Sequence, residues 1–200
     1  MPSPSDILDA AEEAIRRHGP GKARVVDVAR ALGISHGTIY RHFASKDELR
    51  DAVARRWLRR TEETLAEIIR SEEGPREERL YRWLRRLMET RRERCKEDPE
   101  LFALYGLLAE KTRGVTEEHA DRLVEQLAAI IRPSAQSETP SLWDRSPPEV
   151  ARAIFHATAR FHHPEHAPEW DDPEIDAAFE SVWQLVRSGL AGPGGLLEKS

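Results

Sequence analysis

The sequence predicts an all-α protein of about nine helices. Apolar residues recur at three- and four-residue spacing through most of the chain, and no segment shows the sustained apolar–polar alternation of a strand. Capping side chains stand before prolines at 98–99, 146–147 and 172–173, a pattern that favours the first turn of a helix. The predicted helices cover residues 5–18, 25–32, 36–42, 46–72, 76–96, 99–110, 117–132, 148–162 and 173–190.

The first and fourth helices have the clearest boundary signals. Ser5 and Asp6 open the first helix, and Gly19-Pro20 ends it. Residues 45–48 (Ser-Lys-Asp-Glu) form a capping box, in which the serine and glutamate side chains accept hydrogen bonds from free backbone amides. From there an apolar stripe continues to Gly74-Pro75. We therefore expect one long helix over residues 46–72.

The composition favours a folded cytoplasmic protein. Hydrophobic residues make up 39% of the chain and charged residues 34%. Cys95 is the only cysteine, so no disulfide forms within the chain and a reducing compartment fits best. The N-terminus lacks the features of a signal peptide, and no apolar run approaches the roughly 18 residues that a membrane helix needs. We expect no membrane partner.

The helix pattern suggests three parts. We predict a helix-turn-helix DNA-binding domain at residues 1–50 and a helical ligand-binding and dimerisation domain at 51–191. Serine and proline residues indicate a flexible loop at 133–147, and the Gly-Pro-Gly-Gly segment begins a flexible tail at 192–200.

Two short helices within residues 26–43 carry the strongest functional signal. Ala29 is small where a crossing helix must approach closely, and Gly33 follows the first of these helices, where a left-handed residue makes a sharp turn. Ile39 and Phe43 form the buried side of the second helix. This arrangement predicts a helix-turn-helix whose second helix enters the major groove. A plain αα-hairpin within a bundle is the alternative.

The charge distribution supports DNA binding. Residues 19–60 contain 10 Lys/Arg and 4 Asp/Glu, a net charge of +6, so the remaining residues sum to −11 in a chain of net charge −5. Lys46 stands in the first turn of a helix, where acids are favoured, and a phosphate partner would resolve that conflict. Four further arginines are interpreted as a solvated helix face: Arg55, Arg56, Arg59 and Arg60.

The stretch from Ile7 to Val53, and above all GISHGTIYRHFASKDEL, resembles the DNA-binding domain of the tetracycline-repressor (TetR) family. The resemblance implies phosphate contacts by Ser35, Thr38, Tyr40, His42 and Lys46. It implies that His36, Gly37 and Arg41 face bases. Family members often begin the second helix with a phosphate-binding threonine, but this chain reads Ala-Arg-Val-Val at 23–26. We expect Arg24 to take over that contact.

The same resemblance implies that the C-terminal domain binds a ligand and dimerises through its last two helices. Both helices carry apolar residues on two faces, so one face can pack inward and the other against a twofold partner. Two central helices of a monomer are the alternative. The predicted interface residues are Val150, Ile154, Phe161, Phe179, Val182 and Val186.

A small-molecule effector is expected among the helices of residues 76–162, and no cofactor is predicted. Plain core packing is the favoured interpretation of most of the candidate residues, whereas the acid and the two histidines among them can orient a ligand if they point inward. The candidate residues are Trp83, Leu87, Phe102, Tyr105, Glu110, His119, Phe155 and His156.

Residues His162–His166 match H-x-x-E-H, a zinc-protease pattern that needs one continuous helix. Pro164 removes an amide donor and should stop the helix at about 162. No catalytic residue is predicted. The alternative function is that of a metal-binding protein or metal-dependent enzyme centred on this turn. A third hypothesis is a helical interaction protein whose helix-turn-helix is vestigial. The leading prediction is a dimeric repressor that binds a palindromic operator in double-stranded DNA and responds to a small molecule.

Overall fold

The computed structural model describes residues 2–71, 74–110, 114–132 and 146–191. These residues form nine α-helices and two 3₁₀ segments, and none of them lies in a strand, so the predicted all-α class is confirmed. The helices are α1 Pro4–His18, α2 Val25–Leu32, α3 His36–Tyr40, α4 Lys46–Ser71, α5 Arg76–Glu97, α6 Pro99–Ala109, α7 Val115–Ile131, α8 Pro147–Ala157 and α9 Ile175–Ala191. The predicted tail and most of the predicted loop lie outside the described residues.

The helix starts show how side chains replace missing backbone partners. At α1, Ser3 Oγ accepts a hydrogen bond from the Asp6 amide (3.2 Å), and the Asp6 carboxylate accepts one from the Ser3 amide (2.6 Å). The hydrogen bonds that the Asp6 carboxylate accepts from the amide and the hydroxyl of Ser3 lower the pKa of Asp6. The cap is therefore Ser3 and not Ser5. At α4, Ser45 Oγ accepts from the Glu48 amide (3.0 Å), and the Glu48 carboxylate accepts from the Ala44 amide.

Helix α8 is shorter than predicted, since it ends at Ala157 and not at 162. The hydroxyl of Thr158 donates to the carbonyl oxygens of Ile154 (2.9 Å) and Phe155 (3.3 Å). Such bonds between a side chain and the preceding turn are a common feature where helices bend or end. Two 3₁₀ segments follow, at Ala159–Phe161 and Pro164–Glu169.

The chain divides into two compact units. Unit 1 contains residues 1–60 and 93–119, and unit 2 contains residues 61–92 and 120–200. Within unit 1, α6 packs on α1, and Arg16 bonds Asp98 at 3.0 Å. Compactness therefore groups α6 with the N-terminal helices. The domain boundary at residue 50 stays a prediction.

The core of unit 2 centres on α5, α7, α8 and α9. Trp83 and Leu87 are fully buried there. The indole Nε1 of Trp83 donates to Gln126 Oε1 (3.1 Å), and Gln126 Nε2 donates to the carbonyl oxygen of Glu62 (2.9 Å). This chain of bonds satisfies polar groups that would be costly to bury alone.

In unit 1, a buried carboxylate joins α1 to α4. Glu12 is 3% exposed, and its oxygens lie 2.7 Å from Arg56 and 3.2 Å from both Arg60 and Arg16. Arg55 pairs with Glu118 at 3.2 Å, whereas Arg59 is exposed. The interpretation of these α4 arginines as a solvated face is therefore wrong for Arg56, while Arg60 is exposed but also helps to neutralise the buried charge.

Candidate nucleic-acid interface

Helices α2 and α3 form the predicted helix-turn-helix. Gly33 has φ 63°, a left-handed conformation that glycine adopts without strain, and its amide donates to the carbonyl oxygen of Arg30 (3.2 Å). The amide of Ile34 closes the turn by donating to the Ala29 carbonyl at 3.0 Å. Val28, Ala29 and Ile39 are buried. The apolar pattern of the sequence therefore predicts which side of α3 is buried and which side is exposed to solvent.

Helix α3 begins and ends on short-range hydrogen bonds. Ser35 Oγ accepts from the Thr38 amide at 3.3 Å, which caps the first turn. The helix ends at Tyr40, two residues before the predicted end, and the amides of His42 and Phe43 both donate to the Ile39 carbonyl. This tight last turn places Phe43 in the core.

The structure exposes most of the predicted DNA-binding residues. Tyr40 is 47% exposed, which is unusual for a large aromatic side chain and leaves its hydroxyl available to a partner. His42 is half-buried. The other exposed residues of the set are Arg24, Ser35, His36, Gly37, Arg41 and Lys46.

Thr38 differs from the rest of the predicted set because it is buried, with 8% exposure. Its hydroxyl lies 3.1 Å from Ser35 Oγ and 3.3 Å from an Arg41 guanidinium nitrogen. Its hydroxyl therefore already contacts Ser35 and Arg41, and the phosphate contact that the resemblance implies for Thr38 stays a prediction.

Arg24 and Lys46 line one basic depression of about 600 Å³. The Arg24 amide donates to Asp27 Oδ2 (3.2 Å), so the Asp27 carboxylate satisfies the amide of this N-cap residue while the Arg24 side chain stays exposed. The remaining lining residues are Arg17, His18, Gly21, Lys22 and Asp27.

Sequence reasoning missed the contributions of Arg17, His18 and Lys22 to this depression. They lie at the end of α1 and in the following loop, outside the helix-turn-helix pattern. The basic run from 16 to 24 (RRHGPGKAR) was the available signal. Only the folded chain shows that it adjoins Lys46.

Comparison with known proteins decides the family. Residues 7–53 match the model of the tetR family of bacterial regulatory proteins, and residues 76–183 match the tetracyclin repressor-like C-terminal domain. The chain belongs to the TetR family. That family is one of bacterial regulatory proteins, which are typically not enzymes.

Individual relatives of this TetR-family chain agree with that assignment. An uncharacterised HTH-type transcriptional regulator from Mycobacterium tuberculosis is 41% identical over 54 residues, which span 27% of each chain. FadR from Bacillus subtilis, solved in complex with stearoyl-CoA, has a TM-score of 0.60 at 19% identity and covers 92% of this chain and 98% of its own. BioQ, solved with its double-stranded DNA operator, has a TM-score of 0.53 at 23% identity, covering 96% and 99%. These two structures share the fold.

The predicted effector residues of this TetR-family protein fall in both units. In unit 1, the Tyr105 ring centroid lies 6.0 Å from that of Phe102 and 6.2 Å from that of His119. The rings of Tyr105 and Phe102 also pack near Trp57. His119 is 1% exposed. Glu110, at the end of α6, is exposed.

The effector candidates of unit 2 are less uniform. Trp83 and Leu87 belong to its core. Phe155 lies against the buried His162, with ring centroids 4.4 Å apart, whereas His156 is exposed. The exposure of His156 does not favour its expected place in an enclosed ligand pocket, which stays a prediction.

The predicted interface residues of α8 and α9 separate into two groups. Phe161 and Phe179 are 2% and 1% exposed and pack edge-to-face at 5.3 Å within unit 2. The protomer already covers both rings, so their predicted place in the interface is corrected to the core. Val182 is half-buried against that core.

An apolar groove of about 310 Å³ runs between α8 and α9. Val150, Ile154 and Val186, all predicted interface residues, line it. Leu185 also lines the groove and is 74% exposed, although sequence reasoning did not single it out. A contiguous exposed apolar patch, such as the lining of this groove, is typical of a protein–protein contact.

The histidine-rich turn does not have the geometry of a zinc protease. The His162 Nε2 lies 3.1 Å from the Phe155 carbonyl oxygen, and His166 Nδ1 lies 2.8 Å from Glu169 Oε1. Burial lowers the pKa of His163, and hydrogen bonds from His166 and Arg160 lower the pKa of Glu169. The continuous helix that the H-x-x-E-H pattern requires is not formed here, because α8 ends at Ala157. No group of three His, Cys, Asp or Glu side chains is placed to hold a metal ion among the described residues.

No helix in the described part of the chain is long and apolar enough to cross a bilayer.

Proposed function

We propose that this TetR-family regulator is a repressor that binds a palindromic operator as a homodimer and is released by a small molecule. The observation that carries the proposal is the outer surface of the helix-turn-helix. It presents Tyr40, Arg41 and Lys46, and Lys46 also lines the basic depression. Hydrogen-bond donors on a positively charged surface suit the phosphates and base edges of DNA.

Phosphate and base contacts divide among the exposed residues. Lys46, at the first turn of α4, adds its charge to the free amides and positive dipole end of that helix, a combination that favours an anion. His36, Gly37 and Arg41 lie on α3 or at its end and are assigned to base edges. Arginine pairs well with guanine in the major groove, and glycine permits close approach.

Dimerisation is proposed through the groove between α8 and α9. A second copy that supplies the same two helices would cover Leu185 and form a four-helix bundle. Two copies related by a twofold axis would present two α3 helices to a palindromic site, with half-sites about one helical turn apart.

Effector binding is the regulatory part of the proposal. FadR of Bacillus subtilis, a fold neighbour, was solved in complex with stearoyl-CoA, which supports the proposal that this chain also binds a ligand. In this chain, the buried aromatic group of Phe102, Tyr105 and His119 combines apolar rings with an imidazole. These side chains would suit an apolar molecule that carries a polar group.

The DNA-binding half is tested by Tyr40→Phe and Lys46→Ala. Loss of a hydrogen bond to a charged phosphate should cost Tyr40→Phe about 1–3 kcal/mol of binding free energy. Lys46→Ala should weaken specific and non-specific binding about equally and reduce the salt slope by about one unit per contact. Fluorescence anisotropy with duplexes selected from a random library measures both. Wild-type affinity in both folded variants contradicts the assignment of this surface to DNA.

The regulatory half is tested by a thermal-shift screen of apolar and aromatic compounds, followed by operator titrations with each compound that stabilises the protein. A ligand changes DNA affinity only if it binds one conformation more tightly than another. A coupling free energy of about 1–3 kcal/mol would weaken operator binding about 5–150-fold. Compounds that bind stoichiometrically but leave operator affinity unchanged contradict effector release, and the DNA-binding proposal survives that result.

A further inference from the structure

The basic depression formed by residues 17, 18, 21, 22, 24, 27 and 46 is concave and strongly positive. Four of its lining side chains carry a full positive charge: Arg17, Lys22, Arg24 and Lys46. His18 adds a further hydrogen-bonding group. At about 600 Å³, the depression is large enough to receive a phosphate group together with part of its neighbours in a nucleic-acid strand.

The acids near the depression do not cancel this charge. Asp27 accepts a hydrogen bond from the Arg24 amide (3.2 Å) and pairs with Arg30 (3.5 Å), so its carboxylate is already engaged. Arg17 pairs with Glu13 at 3.1 Å, but both side chains are more than half exposed. An exposed pair of this kind contributes little and exchanges readily for a phosphate partner.

We propose that this depression binds a backbone phosphate of DNA, with Arg17 and Lys22 as contacts in addition to Arg24 and Lys46. The inference rests on the proposed DNA-binding function, because Lys46 belongs both to the depression and to the predicted phosphate contacts. It extends the DNA-binding surface from the helix-turn-helix to the end of α1 and the α1–α2 loop.

Continuity with Lys46 favours a backbone phosphate over a free phosphate-bearing molecule. The depression is also open and lined almost entirely by polar side chains. A pocket for a small ligand is usually mostly apolar and encloses most of the ligand surface, whereas phosphate contacts on DNA are made by exposed cations.

Gly21 allows a test that changes charge without disturbing packing. A Cβ built at this glycine meets no atom within 4 Å. Gly21→Glu therefore places a negative charge in the depression, and Gly21→Gln places a neutral side chain of the same size there. We expect Gly21→Glu to bind operator and random-sequence duplexes about tenfold more weakly than Gly21→Gln. The added carboxylate would repel the phosphate and compete for its cations, an effect about as large as the loss of one charged hydrogen bond.

The second arm removes the proposed contacts one at a time. Arg17→Gln and Lys22→Gln should each reduce the slope of log affinity against log salt by about 0.9 for each subunit that contacts DNA. Arg70→Gln is the matched control, since Arg70 is an exposed arginine of unit 2 whose loss changes the net charge equally. Its salt slope should equal that of the wild type.

The outcomes separate this inference from the proposed function. If the wild type shows no salt-dependent DNA binding, the proposed function fails and the inference fails with it. If Lys46→Ala weakens DNA binding while both Gly21 variants bind alike and Arg17→Gln and Lys22→Gln keep the wild-type slope, the inference alone is wrong. Calorimetric titration with inorganic phosphate completes the test. Tight binding that depends on Lys22, together with unchanged DNA slopes, would assign the depression to a small anion and overturn the proposal.

Discussion

Leu185→Asp is expected to convert the proposed dimer into a folded monomer and to lower operator affinity by more than about 100-fold. Leu185 is 74% exposed in the protomer, so the substitution removes little protomer packing. In a twofold interface, each partner would bury one unpaired carboxylate. Burial of unpaired charges costs several kcal/mol, and about 3 kcal/mol already corresponds to a change of more than 100-fold.

The loss of operator affinity follows from geometry. A dimer meets two half-sites together, about 34–36 Å apart for sites separated by one helical turn, and the binding of one half-site positions the second α3 helix. A monomer binds each half-site independently and loses that advantage in effective concentration. Random-sequence binding should fall less, because it depends on phosphate charge and not on half-site spacing.

Light scattering and operator titration measure both effects. The wild type should have twice the 22.8 kDa chain mass at micromolar concentration, and Leu185→Asp should have the chain mass itself. Leu107→Asp is the matched control, since Leu107 is also an exposed leucine (45%) but lies on α6 in unit 1. A monomeric wild type, or a Leu185→Asp variant that stays dimeric with full affinity, would contradict dimerisation through this groove.

Glu12→Ala is expected to lower the free energy of unfolding by about 2–3 kcal/mol. The substitution leaves Arg16, Arg56 and Arg60 without their shared buried carboxylate. Removal of one partner from a fully buried ion pair costs about 3–5 kcal/mol. We expect less here because Arg60 and Arg16 are 44% and 40% exposed, so water can solvate part of the uncompensated charge.

The measurement is urea denaturation followed by circular dichroism, with Glu13→Ala as the control. Glu13 is the next residue along α1 and pairs with Arg17, but 58% of its side chain is exposed. Surface substitutions of this kind usually change stability by less than about 0.5 kcal/mol. Equal effects of the two substitutions would show that the Glu12 cluster contributes no more than an ordinary surface pair.

The sequence by itself determined the features that depend on neighbouring residues. The turn at Gly33, the cap at Ser45 and the apolar stripes of α2 and α3 are interactions over three or four positions, and the structure shows each of them. Short-range capping and periodicity are readable from sequence because the partners occupy constant spacings. The same local pattern carried the family resemblance.

Only the tertiary structure decided which of the residues predicted to be exposed are buried by other parts of the chain. Glu12 bonds Arg56 and Arg60, which lie 44 and 48 positions away in the chain. Phe161 and Phe179 pack against each other in the core of unit 2. A helix with two apolar faces does not itself specify which face packs inward; that depends on distant helices. For the same reason, the sequence did not reveal the exposed Leu185 or the basic depression beside Lys46.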